Sequence, residues 1–438
     1  MEKRGGATVI ITDGGGRGAV LAEAYSRNSY VRKIIAVPGN DAMSLNTGST
    51  HIELHPELKT TSVNEIVDIA LQEAKNGREV LVNVAQDNAV EAGLTDELQK
   101  RRIPTDGPTR AAGQIEWDKI WNRTTFDGIN HQPSWAAFAS KEAGIRYIRE
   151  SVDKPRFIKE AGLAEGKGAK AARNNEEALR KIQEMKDWFL IEDLLEGEEF
   201  STFAICKNGD YKIVGSAQDH KTANNFDEGE NTGGMGCSSP PLVLTPEIMQ
   251  KVDEQIFKRT LAKMNAIGRP YNGTLYLGGM LVDNNPYVLE FNARWGDPEA
   301  QVIVPSLVND LFDISMAVAK GSIKNLQIQT DGKARVVVTG ASRGYPEDYS
   351  KVKGKQIFGI DEAQKMDGVK IYGAGMKLVD SKYYASGGRL FYVVGEGETV
   401  IDARQKAYEA ISLVHIKGNN LHFRTDIGWR DVARLRQQ

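Results

Sequence analysis

Hydrophobic positions follow two different spacings along the first 116 residues. Short apolar runs rich in β-branched side chains predict strands, and segments whose apolar residues recur about every 3.6 positions predict helices between them. The strands are predicted at 7–12, 34–37, 50–54 and 79–84, and the helices at 19–25, 63–75 and 90–101. Strands that alternate with helices are typical of an open parallel sheet, so we expect an N-terminal α/β domain with that architecture.

The pattern changes beyond residue 157. Two hairpins are predicted, the first because Asn208-Gly209 favours a tight two-residue turn between apolar strands. A third group of strands near the C-terminus predicts a small α+β region. The predicted strands here are 158–159, 188–192, 202–205, 211–216, 273–280, 287–291, 335–339, 369–378 and 389–394, and the predicted helices are 175–186 and 247–265. The chain is therefore expected to combine α/β and α+β domains.

Composition limits the classes of function. The 438 residues correspond to about three domains at ~150 residues each. Lys and Arg number 56 against 59 Asp and Glu, so nucleic acid and anionic membranes are poor candidate partners. Two cysteines, Cys206 and Cys237, are too few for a disulfide framework, and we expect reduced thiols. No signal sequence or long apolar span is apparent, so we expect a cytoplasmic protein.

A glycine-rich loop follows the first predicted strand. The run Gly14 to Gly18, with Arg17 inside it, fits the loose G-x-G-x-x-G/A pattern, in which backbone N–H groups approach a phosphate. A dinucleotide site would also need an acidic residue at the end of the second strand, where residues 37–40 read Val-Pro-Gly-Asn. A nicotinamide cofactor, another phosphate ligand and a purely structural turn all remain open for this loop.

A second glycine-rich loop follows the strand that contains Lys159. Lysine side chains and flexible glycines suit phosphate oxygens, and the alternative is a mobile surface loop. It is not a Walker A loop, because Gly168 stands where that motif requires Ser or Thr. The acidic segment 191–199 follows a strand and offers backbone groups for an adenine and carboxylates for a ribose; its alternative is a solvated turn.

Period-two spacing places Glu290, Asn292 and Arg294 on one face of a predicted strand. Carboxylate and amide oxygens are hard ligands suited to Mg²⁺, although an exposed polar sheet face would show the same spacing. Asp219-His220-Lys221 opens a polar loop that closes at 231–236, and such a loop can cover a site and exclude water.

Together, and in this order, these motifs resemble the ATP-grasp ligases and, within them, the phosphoribosylamine–glycine ligase family. The resemblance covers nearly the whole chain, and its segments are 107–112, 116–119, 162–168, 218–221, 231–236, 289–299, 344–346, 385–389 and 424–428. It implies an ATP-grasp fold with a Rossmann-like N-terminal domain at 1–116. It also implies a central domain at 117–137 and 207–327, a lid at 138–206 and a small C-terminal α+β domain at 328–438.

The resemblance implies an ATP-dependent ligation of glycine to 5-phosphoribosylamine through glycyl phosphate, in de novo purine biosynthesis. Its products would be glycinamide ribonucleotide, ADP and phosphate. ATP and Mg²⁺ or Mn²⁺ would be required, the partners would be small molecules, and the chain would be a monomer or small homo-oligomer. The alternatives are another ATP-grasp ligase of purine metabolism, a nicotinamide-dependent oxidoreductase that uses the Gly14 loop, and a sensor that binds ATP without turnover.

The resemblance also implies residue roles. Metal binding falls to Glu290 and Asn292, and catalysis to Arg294, Asp219 and Lys221. ATP would be contacted by Lys119, Lys159, Gly162, Gly166, Lys167 and Gly168, with Glu192, Leu195 and Glu199 around adenine and ribose. The substrates would be bound by Gly14, Gly15, Gly16, Arg17, Gly18, Asn231, Thr232, Gly233, Gly234, Asp297, Pro298 and Glu299.

Some positions depart from the family pattern. The residues present are Asp118 for Ser, Ala161 for Asp, Thr222 for Arg, Glu230 for Pro and Gly373 for His. Residues 85–90 also replace a Gly-Pro-Glu motif. None of these changes removes the expected metal pair or the lysines, so we expect a divergent but active family member.

Overall fold

A five-stranded parallel sheet forms the N-terminal part of this computed structural model, which describes residues 5–163 and 168–437. Its strands β1–β5 are Ala7–Ile11, Val31–Ala36, His51–Leu54, Glu79–Asn83 and Thr105–Asp106. They lie in the spatial order β3-β2-β1-β4-β5 with every pair parallel. The predicted parallel sheet is confirmed.

Helices α1–α6 connect and follow these strands, at Gly16–Ser26, Val63–Lys75, Asp87–Glu91, Leu94–Lys100, Arg110–Trp117 and Lys119–Thr125. The single helix predicted at 90–101 is wrong, because α3 and α4 are separate. Gly93 lies between them with a φ of 81°, a left-handed conformation that interrupts an α-helix and that glycine adopts without strain.

A second, smaller sheet has four strands. These are β6 to β9, at Trp135–Phe138, Arg156–Glu160, Ala169–Ala172 and Phe189–Asp193. They lie in the order β6-β9-β7-β8, and helices α7 and α8, at Lys141–Glu150 and Asn175–Glu184, supply Ile148 and Ile182 to the core beneath them. We call this unit the lid.

The largest sheet has nine strands and is shared by the central and C-terminal parts of the chain. The central part supplies β10, β11 and β14 to β16, at Glu198–Lys207, Asp210–Asp219, Gly236–Ser239, Gly273–Val282 and Asn285–Asn292. Between β11 and β14, a small hairpin is formed by β12 and β13, at Thr222–Asn224 and Glu228–Asn231. The predicted hairpin around Asn208-Gly209 is confirmed, with positive φ at both turn residues.

The remaining strands are β17 to β24, at Ala334–Ser342, Gln356–Phe358, Val369–Gly373, Met376–Val379, Lys382–Ala385, Arg389–Gly397, His415–Ile416 and Leu421–His422. The nine-stranded sheet runs β16-β15-β10-β11-β14-β17-β22-β19, with β24 beside β17, and β20-β21-β18-β23 form a separate sheet. The strand predicted at 369–378 is two strands, β19 and β20, because the chain bends between them at Gly375. A Cβ on Gly375 would lie 2.7 Å from the Cα of Gly387.

Helices α9 to α15 complete the described chain, at Pro246–Lys251, Lys258–Ala266, Ala300–Ile303, Leu311–Lys320, Ile360–Gln364, Val400–Ser412 and Trp429–Gln437. The helix predicted at 247–265 is present but contains a π-helical segment, Val252–Phe257, between α9 and α10. None of the helices in the described part of the chain has the length and apolar character needed to cross a bilayer.

Sheet membership divides the chain differently from the boundaries expected for the lid. Strand β6 pairs with β9 of the lid sheet, whereas β10 pairs with β15 of the nine-stranded sheet. A lid defined by its sheet therefore covers about 135–193 rather than 138–206.

A buried network of hydrogen bonds connects the N-terminal sheet to helix α12. Ser315 donates a hydrogen bond to Asp106 at 2.6 Å, Asn83 donates to Asp106 at 3.2 Å, and the hydroxyls of Tyr25 and Ser315 lie 2.8 Å apart. Burial outweighs these hydrogen bonds and raises the pKa of Asp106 to about 6. The charged form of Asp106 is therefore less favourable in the folded protein than in the unfolded chain.

This shift predicts how an Asp106→Asn variant responds to pH. Since the folded pKa is raised, the wild type loses stability as pH rises from 3.8 through 6, and an amide avoids that loss. The stability of the variant relative to wild type should rise by about 2 kcal/mol between pH 4.5 and 7.5. Urea unfolding at both pH values measures it, with exposed Asp68→Asn as control; a pH-independent difference contradicts the prediction.

Candidate active site

A cleft of about 1120 Å³ lies between the N-terminal sheet, the lid and the central sheet, and two C-terminal arginines, Arg389 and Arg430, also line it. It brings together most of the candidate residues of the sequence. These are Gly14, Gly15, Arg17, Lys119, Lys159, Gly168, Glu192, Leu195, Glu199, Asp219, Lys221, Asn231, Thr232, Gly233, Glu290, Asn292, Arg294, Asp297 and Glu299. Gly16, Gly18, Gly162, Gly234 and Pro298 do not line it, and Gly166 and Lys167 lie outside the described residues.

At the lid side of the cleft, a buried ion-pair network surrounds Glu192. Its carboxylate accepts a hydrogen bond from Arg123 Nε at 2.6 Å and lies 2.8 Å from Lys159 Nζ. Burial opposes ionisation, but Lys159 and Arg123 outweigh it and lower the pKa of Glu192 to about 2. The carboxylate is thus engaged in orienting Lys159, and it lines the cleft with Leu195 and Glu199, beside which we expect the adenine and ribose.

Lys119 lies at the start of α6, beside the second glycine-rich loop. Its Nζ donates a hydrogen bond to the carbonyl oxygen of Gly162 at 2.5 Å, and its backbone N–H donates to the carbonyl of Ala161 at 2.9 Å. Burial and the nearby charge of Lys159 lower the pKa of Lys119, although Glu290 opposes the shift. Two ammonium groups therefore face the same part of the cleft.

Glu290 is a second carboxylate close to these lysines. Burial opposes its ionisation, but Lys221 and Lys159 outweigh it and hold the pKa of Glu290 below its ordinary value. Lys221 lies 4.0 Å from Glu290 and 2.9 Å from Glu199. A charged carboxylate among several ammonium groups, in a cleft of this size, is well placed to bind a metal together with phosphate oxygens.

Asn292 and Glu290 have the position and the donor atoms that metal ligands need. Both line the cleft from β16, and both offer oxygen atoms, which hard divalent cations prefer. The described residues contain no cluster of three or more His, Cys, Asp or Glu side chains that fits a metal. These two residues would therefore hold an ion only with water and phosphate oxygens as further ligands, which is how Mg²⁺ is commonly bound with nucleotides.

Arg294 is fixed by neighbours on two sides. Its guanidinium lies 3.0 Å from Glu116 and donates to Asn292 Oδ1 at 3.1 Å. Glu116 also accepts the backbone N–H of Ala293 at 2.7 Å, and burial raises the pKa of Glu116 to about 7 despite the charge of Arg294. The buried Nε of Arg294 has no hydrogen-bond partner among the described residues, so a donor remains for a ligand.

A pair of buried acids lies further along the cleft. Glu299 accepts hydrogen bonds from the hydroxyls of Tyr276, at 2.7 Å, and Ser201, at 3.1 Å. Asp219 Oδ1 is buried and has no hydrogen-bond partner within the residues that the structure describes. Burial, followed by repulsion from Glu299, raises the pKa of Asp219 well above its ordinary value. A cationic group bound here would satisfy the Asp219 oxygen and favour its ionised form.

The glycine-rich loop before α1 is arranged around Asp13. The Asp13 carboxylate accepts the N–H groups of Gly15, at 2.5 Å, and Gly18, at 3.2 Å, and pairs with Arg17 at 2.6 Å. Two donors of the helix N-terminus are therefore already bound to an internal carboxylate. At this end of the cleft, Asp297 pairs with Arg389 at 3.0 Å.

Comparison with known proteins identifies the family. Models of phosphoribosylglycinamide synthetase match in chain order: its N domain at 7–116, its ATP-grasp (A) domain at 118–300 and its C domain at 335–430. The chain belongs to the phosphoribosylglycinamide synthetase family. The expected family resemblance and the ATP-grasp fold are confirmed, and this family uses ATP and a divalent metal.

Several members are similar over their length. The phosphoribosylamine–glycine ligase of Chlorobaculum tepidum is 32% identical over 431 residues, which are 96% of this chain and 99% of the relative. The trifunctional purine biosynthetic protein adenosine-3 of Gallus gallus is 33% identical over 98% of this chain, which spans only 43% of that longer protein. The crystal structure of phosphoribosylamine–glycine ligase from Thermotoga maritima has a TM-score of 0.77 at 28% identity and covers 96% of this chain and 100% of its own.

The structure explains two of the positions at which this phosphoribosylglycinamide synthetase family member departs from the family pattern. Asp118 is the N-cap of α6 and accepts the N–H of Trp121 at 2.9 Å, a task that a serine performs equally well. Gly373 lies against the N-terminal domain, where a Cβ would be 2.3 Å from Ala42, so a larger residue does not fit there. Both changes are accommodated locally.

Sequence reasoning missed three residues that shape the site. Glu116 orients Arg294, Arg123 holds Glu192, and Arg389 donates to the carbonyl oxygens of Gly233, at 2.5 Å, and Asp297, at 2.8 Å. Glu116 and Arg389 lie in motifs that carry the family resemblance, but their contacts are with segments far away in the chain.

The Glu192 network predicts a large loss of stability in Glu192→Ala. Removal of the carboxylate leaves Arg123 and Lys159 buried without their shared counter-charge, which costs about 3–5 kcal/mol. Urea denaturation measures the loss, and Glu196→Ala, an exposed change in the same acidic segment, should alter the midpoint little. Equal midpoints for the two variants would show that the network contributes nothing.

Proposed function

We propose that this protein joins glycine to 5-phosphoribosylamine, with cleavage of ATP to ADP and phosphate, to give glycinamide ribonucleotide in de novo purine biosynthesis. The observation that carries the proposal is the charge pattern along one cleft, in a chain whose three parts match the family in order. Ammonium groups suited to nucleotide phosphates, and a carboxylate suited to their metal ion, lie at one end. Arg294 and the acidic pair that suit an amino acid lie beside them.

The reaction has two steps in this proposal. A glycine carboxylate oxygen attacks the γ-phosphorus of ATP, the bond to the β-phosphate oxygen breaks, and glycyl phosphate and ADP form. The amine nitrogen of phosphoribosylamine then attacks the glycyl carbonyl carbon and loses a proton, and the C–O bond to phosphate breaks. Inorganic phosphate leaves with one oxygen that began in glycine. Positioning and charge neutralisation supply most of the catalysis in such transfers.

At the nucleotide end, Lys119 and Lys159 neutralise the phosphates of ATP, together with the loop that contains Gly162 and Gly168. Glu192, Leu195 and Glu199, which all line the cleft, lie beside the adenine and ribose. Glu290 and Asn292 hold Mg²⁺, or Mn²⁺ in its place, since both ions accept oxygen ligands. When bound, the ion neutralises charge on the transferring phosphoryl group.

At the glycine end, Arg294 binds the carboxylate or the acyl phosphate, because a guanidinium fork fits two oxygens. The ammonium group of glycine lies between Asp219 and Glu299, where it satisfies the unpartnered Asp219 oxygen. Lys221, which pairs with Glu199 and faces Glu290, neutralises the phosphoryl group during transfer. These charged groups distinguish an amino acid from a simple carboxylic acid.

The acceptor occupies the end of the cleft formed by the N-terminal domain. Its phosphate lies at the loop from Gly14 to Gly18, of which Gly14, Gly15 and Arg17 line the cleft, while the N–H groups of Gly15 and Gly18 stay bound to Asp13. Its amine lies near Asp297 and the loop of Asn231 to Gly234. The four-part domain division is proposed with it: an N-terminal domain, a lid, a central domain and a C-terminal domain. A cytoplasmic location and a monomeric or small homo-oligomeric state remain predictions from the sequence.

ADP release tests the proposed function. With Mg²⁺, ATP, glycine and freshly generated phosphoribosylamine, we expect release that depends on both glycine and the amine. Controls omit each substrate in turn, and an added NADH titration should leave cofactor fluorescence unchanged. Release with a different acid or amine would contradict the substrate assignment and retain the ligase chemistry; no release with any pair would favour a nucleotide sensor.

Asp219→Asn tests the assignment of the glycine ammonium group. Loss of the negative charge should raise KM for glycine at least about tenfold while KM for ATP changes less than about twofold. Steady-state kinetics with each substrate varied in turn measures both constants. Asp210→Asn, at the other end of the same strand, serves as the matched control. An equal rise in both KM values would mean that Asp219 does not bind glycine specifically.

A further inference from the structure

Arg424 is a buried C-terminal arginine that reaches the hairpin β12–β13 beside the cleft. The residue is 1% exposed, and its guanidinium pairs with Asp426 at 2.7 Å within its own segment. It also donates to Oγ1 of Thr222 at 2.8 Å, to the carbonyl oxygen of Thr222 at 3.3 Å and to Asp227 Oδ1 at 3.0 Å. One side chain therefore holds both the first residue of β12 and the turn that follows it.

The same C-terminal segment holds His220. The Nε2 atom of His220 accepts the backbone N–H of Gly428 at 3.0 Å, and its Nδ1 atom lies 3.3 Å from the Arg424 guanidinium. Asp227, 3.6 Å from Nδ1, also faces this ring. His220 is fully buried and lies between Asp219 and Lys221, both of which line the cleft. Successive side chains of an extended segment point to opposite sides, so a fixed His220 fixes the direction of both neighbours.

The backbone of this segment is bonded on its other edge to the loop that closes the cleft. His220 donates its N–H to the carbonyl of Gly236 at 2.9 Å, and its own carbonyl accepts the N–H of Met235 at 2.8 Å. Thr232 donates its N–H to the carbonyl of Lys221 at 2.7 Å. Arg424 is thus one of several charged groups that join the C-terminal domain to this segment: Arg430 pairs with Asp227 at 2.6 Å, and Asp426 accepts the N–H of Phe226 at 2.8 Å. Arg424 is the one of these three that also lies against His220 and Thr222.

We propose that Arg424 is a positioning residue, which sets the direction of Asp219 and Lys221 through His220 and Thr222 and so determines the affinity for glycine. The inference rests on the proposed function for the identity of the substrate. Arg424 touches neither substrate, and it does not line the cleft. The family pattern has an arginine at position 222; here Thr222 stands there, and the guanidinium that contacts its hydroxyl comes from the C-terminal domain.

Arg404 provides a matched control. It donates to the carbonyl oxygens of Thr425, at 2.6 Å, and Ile427, at 2.9 Å, and so supports the same C-terminal segment. No hydrogen bond or ion pair joins Arg404 to residues 219–236 among the described contacts. A general disturbance of the segment would affect Arg404→Gln and Arg424→Gln alike, whereas a positioning role is specific to Arg424.

The experiment compares Arg424→Gln with Arg404→Gln in the full chain. We expect Arg424→Gln to raise KM for glycine at least about tenfold, with the Kd for ATP measured without glycine changing less than about twofold. Amide hydrogen exchange over 219–236 should be faster in this variant and unchanged in Arg404→Gln. Thr222→Val removes one hydrogen bond only, and its effect on KM for glycine should be smaller, about threefold.

A double variant separates positioning from stability. If Arg424 acts through Asp219, adding Arg424→Gln to Asp219→Asn should raise KM for glycine less than about twofold further. Multiplicative effects, or equal kinetics and exchange in the two arginine variants, overturn the inference while the proposed function stands. If Arg424→Gln does not fold, Thr222→Val decides: a KM for glycine equal to that of wild type overturns the inference. A wild-type chain without glycine-dependent ADP release instead overturns the proposed function.

Discussion

The pairing of one four-residue strand, β14, fixes the relation between the central and C-terminal domains. Gly236–Ser239 pairs with β11 on one edge and with β17 on the other, so both domains share one sheet. Gly236 has a φ of 145°, and a Cβ at this position would lie 2.3 Å from the carbonyl oxygen of Val337. Only glycine allows the two backbones to approach so closely. This approach places Arg389 and Arg424 of the C-terminal domain beside the cleft.

Charge compensation explains how the cleft is built. Most of its buried ions are paired within the protein, as Glu192 is with Arg123 and Lys159, and Asp297 with Arg389. Such pairs are held rigidly because each partner would be costly to leave alone. Within the described chain, the buried Asp219 Oδ1 and Arg294 Nε have no hydrogen-bond partner. One is an acceptor and the other a donor, and glycine carries an ammonium group and a carboxylate to match them.

Local signals in the sequence were sufficient for much of the fold. The β-branched runs predicted the parallel sheet, and Asn208-Gly209 predicted its hairpin, because both depend on neighbouring residues. The interruptions at Gly93 and Gly375 were not predicted, since a glycine inside a periodic segment does not by itself reveal its backbone conformation. The motif at 191–199 located the lid side of the cleft, but it did not reveal that Glu192 is buried and paired with two cations.

The contacts of the residues that orient the site could not be predicted from the sequence, and the reason is physical. Glu116 contacts Arg294 across 178 positions, and Arg424 contacts Thr222 across 202. The spacing of hydrophobic residues along the chain does not predict such contacts, because they arise only when separate domains pack together. A family motif can locate these residues, as the segments 385–389 and 424–428 do, without showing what they touch.

The central step of the proposed reaction is activation of the glycine carboxylate as an acyl phosphate within this cleft. Glycine labelled with ¹⁸O in its carboxylate, incubated with the protein, Mg²⁺, ATP and phosphoribosylamine, tests this step through mass analysis of the released phosphate. We predict that each phosphate carries one labelled oxygen, and that no label transfers when phosphoribosylamine is omitted. Unlabelled phosphate, formed together with glycinamide ribonucleotide, would contradict the account.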